Sequence, residues 1–181
     1  SMENVPFTEM VAWTAGISMA WSALMAQGQR SLRRIGAYLI AVDTGALLLG
    51  FVALNGESVS SLLYALFVNL LGTLGLFLAF GLLLERDMTA SEVRDEFSVL
   101  EGQLRERPEL AVFFVLFLAN LVGIPPLPGF LAKFGLISTV FQKGWTFLGT
   151  VAILSQALSV IAAARLFYSF LGQQRTRQEN N

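Results

Sequence analysis

Five long apolar stretches, separated by shorter polar ones, account for most of the chain. They cover residues 7–27, 35–54, 59–84, 110–141 and 146–172. Each is long enough to span a membrane, because an α-helix needs about 20 residues to cross a hydrocarbon layer about 30 Å thick. The pattern therefore predicts an all-α, polytopic integral membrane protein, in which residues 1–181 form a single membrane domain of five transmembrane helices.

The fourth stretch contains a helix break. It is too long for one straight crossing, and its centre reads GIPPLPG. Prolines remove backbone donors from a helix, and interrupted backbone inside a membrane is tolerated only where protein or water lines it. We therefore predict a broken fourth helix with its gap at 123–129. The residues expected to form this break are Gly123, Pro125, Pro126, Pro128 and Gly129.

Composition supports a membrane protein and narrows the chemistry. Of the 181 residues, 55% are hydrophobic and only 14% are charged, whereas soluble domains carry about 25% charge. The net charge of −1 gives no basic surface for nucleic acid. The chain has no Cys and no His, which excludes thiolate iron–sulfur clusters, histidine-ligated haem and the usual zinc sites and nucleophilic triads. We expect it to bind no cofactor and not to be catalytic alone.

Arginines between the apolar stretches indicate the orientation. Nine of them fall on one side of five crossings, while the opposite side carries only Lys143. They are Arg30, Arg33, Arg34, Arg86, Arg94, Arg105, Arg107, Arg175 and Arg177. Because cytoplasmic loops carry the excess of basic residues, the N-terminus is predicted outside and the C-terminus in the cytoplasm.

The one long polar connector lies between the third and fourth stretches. Thr89 and Glu92 have the spacing of a capping box. Apolar residues then recur at helical intervals, so an amphipathic helix is predicted over 88–105 along the cytoplasmic surface. It would contact a neighbouring protein or simply be solvated.

Two charged residues lie deep within the apolar stretches. Lys133 follows the break and Asp43 lies near the middle of the second stretch. Charges at that depth are costly and indicate function by default. Lys133 is a candidate proton relay, or it satisfies loose carbonyls at the break, or it pairs permanently with Asp43. Asp43 is either a proton station or a fixed counter-ion.

Three further residues are candidates for lining a path. Tyr64 and Asn69 are polar groups of the third stretch, where they either hydrogen-bond water or hold helices together. Arg165 lies near the end of the fifth stretch. It either extends toward the cytoplasmic headgroups or takes part in gating.

The segment GIPPLPGFLAKF, Gly123 to Phe134, resembles the signature of the antiporter-like, proton-pumping membrane subunits of respiratory complex I, most closely subunit N. RRIGAY at 33–38 is similar to a second motif of that subunit. The resemblance implies that Lys133 is a relay on a central polar axis, and it puts Asp43 where the family usually has His. It covers one five-helix repeat of the two inverted repeats in the family.

The resemblance implies a membrane-arm subunit of an NADH-quinone oxidoreductase that contributes a proton-translocating half-channel. A non-conducting structural subunit in place of subunit N, or half of a split cation/proton antiporter, are the alternatives. Expected partners are other membrane-arm subunits, lipid and a separate chain supplying the first repeat. NADH, FMN, iron–sulfur clusters and quinone would bind only to partner subunits, and the location would be the bacterial inner membrane.

Overall fold

The computed structural model describes residues 5–29, 31–53, 59–84 and 108–178 of the chain. Within these residues it contains six helices and no strand, so the predicted all-α architecture is confirmed. The helices are α1 (Val5–Gly28), α2 (Leu32–Val52), α3 (Val59–Leu84), α4 (Pro108–Val122), α5 (Pro128–Gln142) and α6 (Thr146–Gln178). The amphipathic helix predicted over 88–105 lies outside the described residues.

Three of these helices contain segments long and apolar enough to cross a membrane: Leu32–Val52, Val59–Leu82 and Thr146–Leu166. Helices α4 and α5 have 15 residues each, which corresponds to about 22 Å at 1.5 Å per residue. Each is therefore shorter than the hydrocarbon layer, and only the pair together is long enough to cross it. Helix α1 is not among the three segments, and the count of five crossings stays a prediction.

Buried side chains form clusters that join the helices on both sides of the break. One cluster joins α1, α2, α5 and α6 through Met19, Val42, Val140 and Ala152. Another joins α1, α2, α3, α4 and α6 and includes Leu76 and Phe114. Because these contacts fix α2, α4, α5 and α6 relative to one another, side chains from different parts of the chain can meet at the break.

The outer surface of the bundle is apolar. Large hydrophobic side chains are strongly exposed on several helices, among them Ile17 on α1, Phe67 and Phe77 on α3, and Phe134 on α5. Large contiguous apolar surface of this kind is rare on a soluble monomer. It is what a helix bundle surrounded by lipid requires, because the hydrocarbon offers nothing to polar groups.

Candidate functional site

The break between α4 and α5 leaves two helix ends inside the bundle. Helix α4 ends at Val122, and Gly123 follows it with a φ of +78°, a conformation that glycine adopts without steric cost. The amide groups of Gly123 and Ile124 both donate to the carbonyl of Ala119, at 3.0 Å. The last carbonyls of a helix have no partner within it, so the carbonyl of Leu121 is available to another donor.

The start of α5 is hydrogen-bonded directly to α4. Pro128 occupies the first turn of α5, where a missing N–H costs nothing. The next amide, that of Gly129, donates to the side-chain Oδ1 of Asn120 at 2.9 Å. The two backbones are so close that a Cβ on Gly129 would lie 1.8 Å from the carbonyl oxygen of Asn120. Only glycine fits at this contact, and Asn120 links the two half-helices.

Lys133 extends from α5 into a cluster of oxygen atoms. Its Nζ donates to Asp43 Oδ1 on α2 at 2.6 Å, to Gln156 Oε1 on α6 at 2.8 Å and to the carbonyl of Leu121 on α4. The side chains of Lys133 and Asp43 are 14% and 6% exposed. An ammonium group has three donors, so all three are used. The structure therefore shows both a bond to a loose carbonyl at the break and a pair with Asp43.

Gln156 belongs to this site although sequence analysis did not select it. Besides accepting from Lys133, its Nε2 donates to Asp43 Oδ1 at 3.3 Å, and the residue is 8% exposed. One signal was available, because Gln156 is the single Asn or Gln in the apolar span Thr146–Leu166. A polar amide in such a span needs a hydrogen-bonding partner, which is commonly on another helix.

A small, partly open cavity of about 20 Å³, with room for about one water molecule, lies beside the ion pair. Asp43 and Lys133 line it together with two amide side chains, Asn69 of α3 and Asn120 of α4. The rest of its wall is small or aliphatic: Ala46, Leu47, Ala65, Val68, Leu121, Gly129, Ala132 and Leu136. Buried water needs room and between two and four polar partners, and this cavity offers both next to Lys133.

The two candidates on α3, Asn69 and Tyr64, have different surroundings in the structure. Asn69 lines the cavity, and its Oδ1 accepts from the hydroxyl of Thr73 at 3.0 Å. Tyr64 does not line it and is 42% exposed. The two residues are five positions apart, which corresponds to a rotation of about 140° around an α-helix. The structure thus brings Asn69, but not Tyr64, to the ion pair.

Arg165 lies away from the ion pair, on the same helix as Gln156. The two residues are nine positions apart, which corresponds to about 13 Å along the helix axis. The side chain of Arg165 is exposed, and its Nη1 donates to the carbonyl of Gln27 at the end of α1. Gln27 in turn donates through Nε2 to the carbonyl of Leu158 at 2.7 Å. The hydrogen bonds made by Arg165 and Gln27 therefore link α1 to α6.

An all-α bundle with an apolar surface, a helix interrupted by prolines and a buried charge pair at the interruption define a membrane protein of the antiporter-like class. The chain matches, over residues 2–159, the family described as "NADH:quinone oxidoreductase/Mrp antiporter, TM", and it belongs to that family. The resemblance seen in GIPPLPGFLAKF is thereby confirmed.

Its relatives include subunit N proteins. NADH-quinone oxidoreductase subunit N 2 of Acidobacterium capsulatum is 39% identical over 160 residues, which are 88% of this chain and 31% of the relative. Subunit N of Syntrophotalea carbinolica is 33% identical over 155 residues, 86% of this chain and 32% of the relative. The chain thus spans about a third of the length of these curated relatives, as expected for a part of subunit N.

A solved structure has the same fold. The structure of the Mrp complex from Dietzia sp. DQ12-45-1b contains a chain that superposes with a TM-score of 0.74 and 22% sequence identity. The match covers 90% of this chain and 30% of that chain. At this identity the likeness shows the fold of the helix bundle.

Proposed function

We propose that the chain contributes a proton-translocating half-channel to a complex I-like or antiporter-like membrane assembly, with Lys133 as relay and Asp43 as its partner. The observation that carries this proposal is the buried Lys133–Asp43 pair, which lies at a helix break and borders a cavity. In an NADH-quinone oxidoreductase, the redox steps with NADH, FMN, iron–sulfur clusters and quinone would occur in other subunits.

The geometry suggests how one proton would pass. In the observed arrangement a charged lysine faces a carboxylate. Release of a proton from the ammonium to water in the cavity leaves a neutral amine beside the charged Asp43. Uptake of a proton from the opposite side then restores the pair, so one proton has crossed the site and no other group has changed. Asn69 and Asn120 supply hydrogen-bonding groups on the cavity side.

Lys133→Met in the native membrane assembly tests this proposal, because methionine keeps the length of the side chain and removes the titratable group. We expect proton uptake into vesicles, measured per assembled complex, to fall by at least about tenfold. Lys143→Met is the matched control, since Lys143 is the other lysine of the chain and is exposed. Unchanged proton uptake in Lys133→Met would contradict the proposal.

One observation favours a second candidate, a non-conducting structural subunit. All three donors of the Lys133 ammonium are occupied, by Asp43, Gln156 and Leu121, as expected for a permanent link between helices. If Lys133→Met lowers the amount of assembled complex while transport per complex stays unchanged, the structural role accounts for the pair.

The proposal includes the partners of the chain and its orientation in the membrane, which the distribution of arginines indicates. Other membrane-arm subunits, lipid and a further polypeptide segment corresponding to the first repeat would surround the chain in a bacterial inner membrane, with the N-terminus outside. The chain has no Cys, so single introduced cysteines report orientation without background. Gly28→Cys should react with an impermeant thiol reagent only from the cytoplasmic side and Lys143→Cys only from outside; the reverse pattern would overturn the orientation.

A further inference from the structure

Gln156 contacts both members of the ion pair with the two ends of one amide group. Its Oε1 accepts from Lys133 Nζ at 2.8 Å, and its Nε2 donates to Asp43 Oδ1 at 3.3 Å. The acceptor end therefore faces the cation and the donor end faces the anion. Hydrogen bonds to charged groups are about twice as strong as those between neutral groups.

This orientation of the amide is fixed by the charges around it. A rotation of the amide by 180° would place its NH₂ against the ammonium, which has only donors, and its oxygen against the carboxylate, which has only acceptors when ionised. Both contacts would become repulsive. Gln156 can therefore hydrogen-bond to both members of the ion pair in only one orientation of its amide group.

We propose that Gln156 is a positioning residue, which holds the Lys133 ammonium against Asp43 Oδ1 and slows its release toward the cavity. Its part in transport rests on the function proposed above. Its effect on the ammonium is a property of this chain alone. The ammonium would be held from three sides, by α2, α4 and α6, so that leaving Asp43 also requires breaking the bond to α6.

The chain offers a direct way to observe the ammonium. It contains only two lysines, Lys133 and Lys143, so labelling lysine Nζ with ¹⁵N gives two signals, which Lys143→Arg assigns. The measurement is the rate at which Nζ protons exchange with water in the full chain in detergent. Lys143 is exposed, with its Nζ 5.5 Å from the ring centre of Trp145, and provides an internal reference.

Gln156→Met keeps the length of the side chain and removes both hydrogen bonds. We expect Lys133 to exchange about tenfold faster, because a hydrogen bond to a charged group is lost, while Lys143 stays unchanged. Gln156→Asn retains the amide but is one carbon shorter, so the same acceleration is expected. This variant replaces Gln156→Met in the exchange measurement if the methionine variant does not fold. Gln156→Glu keeps an acceptor for the ammonium and adds a negative charge beside it, so Lys133 should exchange no faster than in wild type.

Ser159→Ala is the matched control, because Ser159 is buried one turn further along α6 and its hydroxyl donates to the backbone carbonyl of Ser155 in its own helix. Exchange within about twofold of wild type in both Gln156→Met and Gln156→Asn would overturn the positioning role. Equal acceleration in Ser159→Ala would also overturn it, since any loosening of α6 would then suffice. Proton uptake unaffected by Lys133→Met would instead contradict the proposed relay and leave the exchange result standing.

Discussion

Two cations in this bundle each donate to a carbonyl in the last turn of a helix, and their surroundings differ. Lys133 donates to Leu121 near the end of α4, is 14% exposed, and also contacts a carboxylate and an amide. Arg165 donates to Gln27 near the end of α1 and is exposed. Cations near helix C-termini are favourable in general, so the carbonyl bond alone does not indicate function.

The features that distinguish Lys133 are its burial, its counter-ion and the cavity beside it. A buried charge must be paired or it costs several kcal/mol, whereas an exposed arginine reaches water or headgroups at little cost. A change of protonation would therefore affect the packing of the bundle only at the buried Lys133 pair.

Asp43→Leu should destabilise the chain by about 3–5 kcal/mol, because it leaves the Lys133 ammonium buried without its carboxylate. The measurement is the free energy of unfolding in detergent. The double variant Asp43→Leu with Lys133→Met should recover most of the loss, since replacing a whole buried pair by apolar groups is often neutral. A double variant as unstable as Asp43→Leu alone would show that packing, not charge, decides stability here.

Gly129→Ala should cost about 3 kcal/mol in the same measurement, because its Cβ would lie 1.8 Å from a backbone oxygen that cannot move without separating α4 from α5. Gly28→Ala is the matched control at the end of α1, where a new Cβ meets nothing within 4 Å. We expect that change to alter stability by less than about 1 kcal/mol. Equal effects at both glycines would mean that the two half-helices separate easily.

Much of this arrangement could be predicted from local sequence. The helix break follows from the chemistry of Pro and Gly within GIPPLPG, and the apolar stretches predict the helices. Lys133 and Asp43 were candidates individually, because any charge at membrane depth is costly. Their pairing was one of several interpretations, since nothing local relates residues 90 positions apart.

Gln156 and Asn120 could not be selected in the same way. Neutral amides are common where helices pack, so the residue type does not separate a contact between helices from a contact with an ion pair. Gln156 belongs to the site because it contacts Asp43, which is 113 positions away. Asn120 belongs to it because the turn after α4 brings the amide of Gly129 back to its side chain. Both contacts depend on how the helices pack.

Asn120→Ala should cost about 1–2 kcal/mol, because the amide of Gly129 loses its acceptor at the crowded start of α5. Asn69→Ala is the matched control, since it removes a second amide from the same cavity wall. Thr73, which donates to Asn69, can turn its hydroxyl to a carbonyl four residues back in its own helix. Thermal unfolding in detergent compares the two, and a larger loss in Asn69→Ala would contradict the role given to Asn120.

Arg165→Met makes at the exposed cation the same chemical change that Lys133→Met makes at the buried one. It removes one bond between α6 and the carbonyl of Gln27, and interhelical hydrogen bonds in membranes are worth about 0.6 kcal/mol on average. Gln27 still links the helices through Leu158, so we expect a loss in unfolding free energy near that value and proton uptake within about twofold of wild type. If Arg165→Met instead abolished proton uptake while the assembly remained intact, the contrast between the two cations would fail. Arg165 would then share the function assigned to Lys133, and exposure would not separate a helix-end contact from a transport residue in this bundle.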